Sequence, residues 1–326
     1  MIGILGGSGF LGSTLIRQLT AEAQAVHCFD IIPTHLDVPY TYFDVTSCDP
    51  SEDFKGARCI INLAAAHRDD IRPVSRYYDV NVKGAQLVCD AAADAGIAQI
   101  VFVSSVAVYG FAPPETDENG DFNYFNEYGR TKLAAETIYR EWQQEDPSKR
   151  RLIIVRPTVI FGEGNRGNVY NLVRQIASKK FVMFGNGQNF KSMAYVENVA
   201  SFIRTARHQG PGIHIYNYVD TPDLTMNELV RMTRRTLFGR DNVGPRLPAF
   251  LGLVIGKVGD FFTLVSGKSL PVSSIRVKKF MTTTQFSSRA HETGFKPPYS
   301  LAEGLERTLR YEFLEDNSGN RTFETE

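Results

Sequence analysis

The chain of 326 residues contains no uninterrupted run of about 18 uncharged apolar residues, the length a membrane-spanning helix needs. The nearest stretch, Leu247 to Val265, is broken by Lys257 and Asp260. It is expected to form a buried or interfacial helix, with peripheral contact at a membrane surface left open. Net charge is also absent, because 36 Lys+Arg balance 36 Asp+Glu. That argues against a general nucleic-acid binder, which needs a clustered basic surface to release counterions. Cysteine is scarce: Cys28, Cys48, Cys59 and Cys89 form no C-x-x-C pair and show no metal-ligand spacing. No disulfide framework or metal site is expected, and the thiols read as reduced core residues of a cytoplasmic protein. No basic segment precedes the first apolar run at Ile2, so no secretory leader is expected. Internal repeats and low-complexity segments are missing as well. What is present is 43% hydrophobic and 22% charged, the composition of a folded chain.

The first half alternates short apolar runs with helical patterns, the signature of βαβ units and a parallel sheet. Strands are expected at Ile2–Leu5, Ala25–Phe29, Ala57–Leu63, Gln99–Val103 and Leu152–Val155, with Tyr40–Phe43 as a further candidate. Helices are expected at Leu11–Leu19 and from about Val74 to Ala95. After Pro157 the texture changes. A Gly/Asn-rich loop (Gly162 to Asn168) leads to a helix at Val169–Ser178, and a turn follows at Gly185–Gly187. Ile213–Tyr218 reads as a strand returning to the main sheet, and Met226–Leu237 and Leu301–Phe313 read as helices. The region Gly244–Thr283 reads as irregular and apolar, and the tail from Glu315 as disordered. The expected organisation is a nucleotide-binding domain over residues 1–165 plus the return strand, a smaller substrate lobe over 166–313, and a tail at 314–326.

GILGGSGFLG (Gly3 to Gly12) lies between a strand and a helix, and that context turns a weak glycine pattern into a strong one. Gly6 allows a tight turn, Gly9 lets backbone N–H groups approach a pyrophosphate, and Gly12 seats the helix close on the strand. Phe10 and Leu11 complete the cradle. The architecture expected is an α/β Rossmann-type doubly wound parallel sheet. Asp30 ends the second strand, where a carboxylate can accept both adenosine ribose hydroxyls and repel a 2′-phosphate, which favours NAD over NADP. Asp44, with Val45 beside it, stands where an adenine amino group could be read, or where an aspartate simply closes a turn.

Tyr128 and Lys132 form Y-x-x-x-K, which on a helix puts both side chains on one face. A lysine ammonium favours the phenolate and suits Tyr128 to proton transfer at an alcohol or carbonyl. Ser105, at the end of VFVSSVAVYG, is the candidate hydrogen bond to the reacting oxygen; Ser104 is placed with the backbone or the cofactor.

With GGSGFLG, Asp30, NLAAAH (Asn62 to His67), NVKG (Asn81 to Gly84), SSVAVYG, YGRTK, RPTVIFG (Arg156 to Gly162) and SMAYVENVA (Ser192 to Ala200) in this order, the chain resembles the extended short-chain dehydrogenases/reductases. Within them it is similar to the NAD-dependent epimerase/dehydratases of nucleotide sugars, over about Met1 to Phe313. The resemblance implies that Leu63, Ala64 and Ala65 line the cofactor, with His67 near its pyrophosphate. It also implies that Asn81 braces the sheet and Pro157 packs against the nicotinamide. Asn165, Arg166 and Asn168 lie in the loop that meets substrate in such enzymes, and Lys191 and Arg276 are candidates for a substrate diphosphate. A homodimer is implied by the same analogy.

Two departures narrow the chemistry. Val106 and Ala107 stand where sugar dehydratases of this family carry Asp-Glu, so dehydration is not expected. Val159 stands where many epimerases carry an Asn that touches the nucleotide sugar. Asn198 replaces an Asp and puts a polar brace in doubt. The reading favoured from sequence is a 4-keto reductase or 4-dehydrogenase of a nucleotide sugar, UDP-linked, for surface polysaccharide synthesis. Its softer resemblance is to the bacterial UDP-N-acetylquinovosamine dehydrogenase/4-reductases. The alternatives are a UDP-hexose or UDP-N-acetylhexosamine 4-epimerase, a hydroxysteroid-type dehydrogenase, and a non-enzymatic dinucleotide sensor.

Overall fold

A computed structural model describes residues 1–46, 54–68, 71–266 and 274–324. Strands β1 (Ile2–Leu5), β2 (Val26–Asp30), β3 (Tyr40–Tyr42), β4 (Cys59–Asn62), β5 (Gln99–Val103), β6 (Arg151–Pro157) and β11 (Gly212–Tyr218) build one sheet in the order β11-β6-β5-β4-β1-β2-β3. Every pair in it is parallel. This is a Rossmann-type sheet, doubly wound, with β11 returning to one edge as the sequence implied. The unbroken apolar strands follow from burial on both faces, with alternate residues sorted to opposite sides. Ile4, Ile61, Val101 and Ile153 face one core with Leu15, Ile16, Val199 and Phe202. Leu5, Ile60, Phe102 and Ile154 face the other with Val88, Ala92, Tyr139 and Trp142.

Helix α1 (Phe10–Ala21) starts on Gly9 with no side-chain cap. The helical stretch expected over 74–95 is present but not uniform. It consists of α2 (Ser75–Tyr77), a π turn (Tyr78–Lys83) and α3 (Gly84–Asp94). Helix α4 (Glu127–Gln144) begins on Asn126, whose Oδ1 accepts from Gly129 N at 2.9 Å. The remaining core helices are α5 (Asn168–Ala177), α6 (Val196–Ala206), α7 (Met226–Phe238) and α10 (Leu301–Phe313). Both α7 and α10 open on a capping box, Thr225/Glu228 and Ser300/Glu303. Short strands β7 (Val159–Phe161), β8 (Met183–Phe184), β9 (Phe190–Lys191), β10 (Met193–Tyr195), β12 (Leu224–Thr225) and β13 (Arg246–Leu247) form three two-stranded pieces beyond the main sheet.

Two expectations are corrected. Residues 244–283 are not mainly irregular: β13 is followed by α8 (Ala249–Ser266) and α9 (Ser274–Met281), an apolar hairpin with residues 267–273 outside the described set. The tail is not disordered through residue 324. Phe323 N donates to Gly164 O at 2.8 Å, Phe323 O accepts from Arg166 N at 2.9 Å, and the Phe323 ring lies 5.6 Å from that of Phe10. A single aromatic residue in a polar tail supplies enough apolar burial to fix it, which composition alone hides. Cys28, Cys59 and Cys89 are buried free thiols, and Cys48 lies outside the described residues. No described helix is long and apolar enough to cross a membrane.

Candidate active site

Strand order reverses between β1 and β4, and the crevice at their carboxyl ends is where open parallel sheets bind ligands. Gly6 leaves β1 at φ +73°, and a Cβ there would stand 2.9 Å from Ala64 N. A Cβ on Gly12 would stand 2.3 Å from Gly6 O, so only glycine lets α1 sit against the loop. The loop is pinned to β2: Asp30 Oδ2 accepts from Ser8 N at 2.9 Å and Oδ1 from Ile32 N at 3.0 Å. This holds the carboxylate at the loop's mouth beside exposed Ile31 and Ile32, with no cation from either neighbour. Ser104, just past the carboxyl end of β5, has its Oγ buried with no hydrogen-bond partner among the described residues. Buried hydroxyls are rarely left so. The glycine cradle, the uncapped start of α1, Asp30 and this orphaned hydroxyl fit a dinucleotide with a free 2′-hydroxyl. Gly6, Gly9, Phe10, Leu11, Gly12, Asp30, Leu63, Ala64, Ala65, Ser104 and Pro157 would hold it.

Ser105 caps the 3-10 turn Val106–Tyr109, its Oγ accepting from Ala107 N at 3.1 Å and keeping its own proton to donate. The start of α4 presses on that turn. A Cβ at Gly129 would lie 2.4 Å from Ala107 O, so the glycine of YGRTK brings the helix bearing Tyr128 against the turn bearing Ser105. Tyr128 is half-buried at the second position of α4. Lys132, one turn on, is 2% exposed, and its Nζ lies 4.4 Å over the Phe102 ring. Burial pushes its ammonium down to about 7, against the opposing pull of Glu136. Asn81 in the π turn ties these parts together. Its Oδ1 accepts from Ala66 N at 2.9 Å, and its Nδ2 donates to Ala66 O at 3.0 Å and Thr131 Oγ1 at 2.9 Å.

Sequence reasoning missed the polar network behind the site. Arg156, fully buried, donates from Nε to Glu136 Oε1 at 2.8 Å and from Nη2 to Oε2 at 2.6 Å. Its Nη1 donates to Tyr109 Oη at 2.5 Å, and that hydroxyl donates to Asn217 Oδ1 at 2.9 Å. Glu136 follows Lys132 by four residues on the helix face that buries Ala135 and Tyr139, and that position was the available signal. The brace doubted at Asn198 is built with its carboxylate elsewhere. Asn198 Nδ2 donates to Asp220 Oδ1 at 2.9 Å, and burial pushes Asp220 up to about 6.

The other expected residues have these contacts in the structure. Asp44 closes its own turn through Thr46 N at 2.9 Å, and Val45 is buried against Gly84. His67 is exposed, with Nδ1 3.3 Å from Ala65 O. Arg166 is committed to Glu312 at 2.5 Å and to the Tyr170 ring at 4.2 Å, and Asn165 Oδ1 accepts from Gly167 N at 2.6 Å beneath the tail. Asn168 is the exposed first residue of α5. Lys191 Nζ donates to Thr282 O at 2.6 Å, and burial pushes it down to about 8. Arg276 belongs to α9, with its side chain outside the described set. A basic cleft of about 310 Å³ lined by Arg58, Gln99, Lys149, Arg151, Arg207 and His208 opens at the amino ends of β5 and β6, away from the motifs.

The sequence profile of the NAD dependent epimerase/dehydratase family matches residues 2–218. The chain is 43% identical, over 99% of its length and 98% of the other's, to an N-acetyl-alpha-D-glucosaminyl-diphospho-ditrans,octacis-undecaprenol 4-epimerase of Escherichia coli O157:H7. It is 27% identical to a UDP-glucose 4-epimerase of Vibrio cholerae, with 97% and 96% covered. Among solved structures it is similar to the UDP-N-acetylglucosamine 4-epimerase of Methanobrevibacter ruminantium M1 in complex with UDP-N-acetylmuramic acid. The TM-score is 0.74 over 95% of this chain and 97% of that one, at 18% identity, a likeness of fold.

Proposed function

This chain belongs to the NAD dependent epimerase/dehydratase family, and from that premise we propose that it inverts C4 of an N-acetylhexosamine joined through a diphosphate to a polyprenol. The observation that carries this reading is the 43% identity, across 99% of the chain, to the Escherichia coli epimerase of a diphospho-undecaprenol sugar. It displaces the reductase favoured from sequence in favour of the alternative, an epimerase. Val159 counts against a common nucleotide-sugar epimerase but leaves a lipid-linked substrate open. It is 37% exposed and offers no hydrogen bond where common epimerases touch a nucleotide sugar, which suits a substrate whose diphosphate leads to a lipid.

When bound, NAD supplies the acceptor and then the donor for the hydrogen and electron pair at C4. The chain's own residues handle the proton. The Lys132 ammonium favours the Tyr128 phenolate, whose oxygen takes the proton from O4 as the alcohol becomes a carbonyl and is left as the neutral phenol. Ser105 donates a hydrogen bond to O4 throughout. After the keto sugar turns over, the same phenol returns the proton to O4 on the inverted centre. Val106 and Ala107 carry no proton to lend, so nothing at that position promotes loss of water.

The test is incubation with N-acetylglucosaminyl-diphospho-undecaprenol in detergent and, separately, with UDP-N-acetylglucosamine, followed by proton NMR of the released sugar. The expected result is interconversion of gluco and galacto forms of the lipid-linked sugar with no net reduction of added NAD. Consumption of NADH with a 4-keto sugar, and no epimerisation, would restore the reductase. Tyr128→Phe is expected to lower kcat by about 10²- to 10⁴-fold while leaving NAD affinity unchanged, read by isothermal titration.

A further inference from the structure

An ordinary surface helix turns its large apolar residues inward and its polar ones outward. Over its described side chains, up to Val258, α8 turns large apolar residues outward and glycines inward. Its inner face carries Gly252, where a Cβ would stand 2.8 Å from the Phe184 ring and 3.2 Å from Val277, and the buried Gly256. Its outer face carries Phe250, Val254 and Val258, spaced four apart and 63%, 53% and 50% exposed, with Leu253 and Ile255 beside them at 38% and 42%. Contiguous exposed apolar residues of this size mark an interaction surface.

Charge indicates what covers it. Residues 245–281 carry six basic residues (Arg246, Lys257, Lys268, Arg276, Lys278 and Lys279) against one acid, Asp260, in a chain whose net charge is zero. Of the side chains described, Arg246, Lys257 and Lys278 are exposed, Lys257 on α8 itself and Arg246 held to Asn186 O and Asn227 Oδ1. A second copy of this surface would bring like charges together, whereas an anionic lipid surface complements them. Lys257 and Asp260 interrupt the apolar run of α8, which suits lateral contact with a bilayer surface. The hairpin is also tied to Lys191 and Ser192: α9 leads to Thr282, whose carbonyl accepts from Lys191 Nζ, and to Thr284, whose carbonyl accepts from Ser192 N at 2.8 Å.

We propose that α8 is an interfacial membrane anchor. It lies in the headgroup layer of an anionic bilayer, with Phe250, Val254 and Val258 toward the acyl chains and Lys257 and Lys278 among the phosphates. Resting on the proposed function, this lets a polyprenyl diphosphate present its sugar to the site while its lipid stays in the membrane.

The full-length protein is floated with vesicles of phosphatidylglycerol and phosphatidylethanolamine, and separately with phosphatidylcholine alone. Co-flotation is expected with the first and at least about tenfold less with the second, weakening as salt is raised. Phe250→Glu/Val254→Glu should reduce flotation at least about tenfold. Lys257→Glu/Lys278→Glu should do the same on the anionic vesicles only. Both variants should keep wild-type circular dichroism and wild-type turnover of a short-chain, water-soluble polyprenyl-diphospho sugar. Wild-type protein that stays with the soluble fraction, or variants that float as well as wild type, would overturn the anchor. So would a wild-type dimer that Phe250→Glu/Val254→Glu splits without any lipid binding, which would assign the face to a second copy. Epimerisation in detergent by a protein that ignores vesicles would overturn the anchor and leave the proposed function standing. Vesicle binding without epimerisation would do the opposite.

Discussion

Lys132 shows how a functional residue is held at a cost to the fold. The residue is 2% exposed, with Nζ over the Phe102 ring, and burial pushes its ammonium down to about 7 from an ordinary 10.5. Between those values the unfolded chain binds more protons than the folded one. Stability therefore rises as pH rises through about 7 to 10.5, and the cost is fully present below 7. Lys132→Met removes the charge while keeping the stem. It is expected to raise stability in urea melts at pH 6–7 by on the order of 2 kcal/mol, with the gain vanishing near pH 10.5. Activity should fall with it, because the phenolate at Tyr128 loses its cation. A variant less stable than wild type at pH 6 would show that the ammonium is already well paired. Tyr128 and Lys132 were legible because spacing on a helix is a property of the sequence. Glu136 and Arg156 were not, because a charged residue's burial depends on partners far along the chain.

Elements were read well where apolar periodicity decided them and poorly where one contact did. The sheet strands came out within about two residues, since burial on both faces leaves them continuously apolar. The π turn at Tyr78–Lys83 leaves no periodic trace, yet it is what aims Asn81 at both Ala66 and Thr131. The tail was misread because its fixing residue is the lone Phe323. Its position makes a prediction at this scale. Phe323 lies against Phe10, the residue that follows Gly9 of the cradle, and Arg321 Nη1 lies 2.8 Å from His35 Nδ1. Deleting residues 316–326 is expected to cost about 1 kcal/mol, less than full burial of an aromatic side chain because Phe323 is half-buried. It should also make bound NAD leave faster, measured as the dinucleotide retained after gel filtration. Equal retention would mean that the tail only covers the surface beside the cradle.

Across the whole molecule, the Arg156–Glu136 pair joins parts that the sequence separates by long distances. It links β6 to α4, through Tyr109 to the turn bearing Ser105, and through Asn217 to β11. Glu118 extends the link, accepting from Asn217 N at 2.7 Å and from Arg289 N at 2.9 Å, so the C-terminal segment is held by the same network. Both charges are essentially without solvent, at 0% and 1% side-chain exposure. Breaking such a pair from one side strands a buried charge, whereas replacing both sides with apolar groups of similar volume can be close to neutral. Arg156→Met and Glu136→Leu are each expected to destabilise by about 3–5 kcal/mol, and the double variant by clearly less than either, in urea melts analysed as a double-mutant cycle. If the pair served stability alone, the double variant would keep its turnover. The network instead holds the turn of Ser105 against the helix of Tyr128 and sets a carboxylate one turn from Lys132. The double variant is therefore expected to fold, bind NAD and turn over at least about tenfold more slowly, with the acid limb of its kcat profile displaced. Wild-type turnover in a stable double variant would confine the pair to scaffolding.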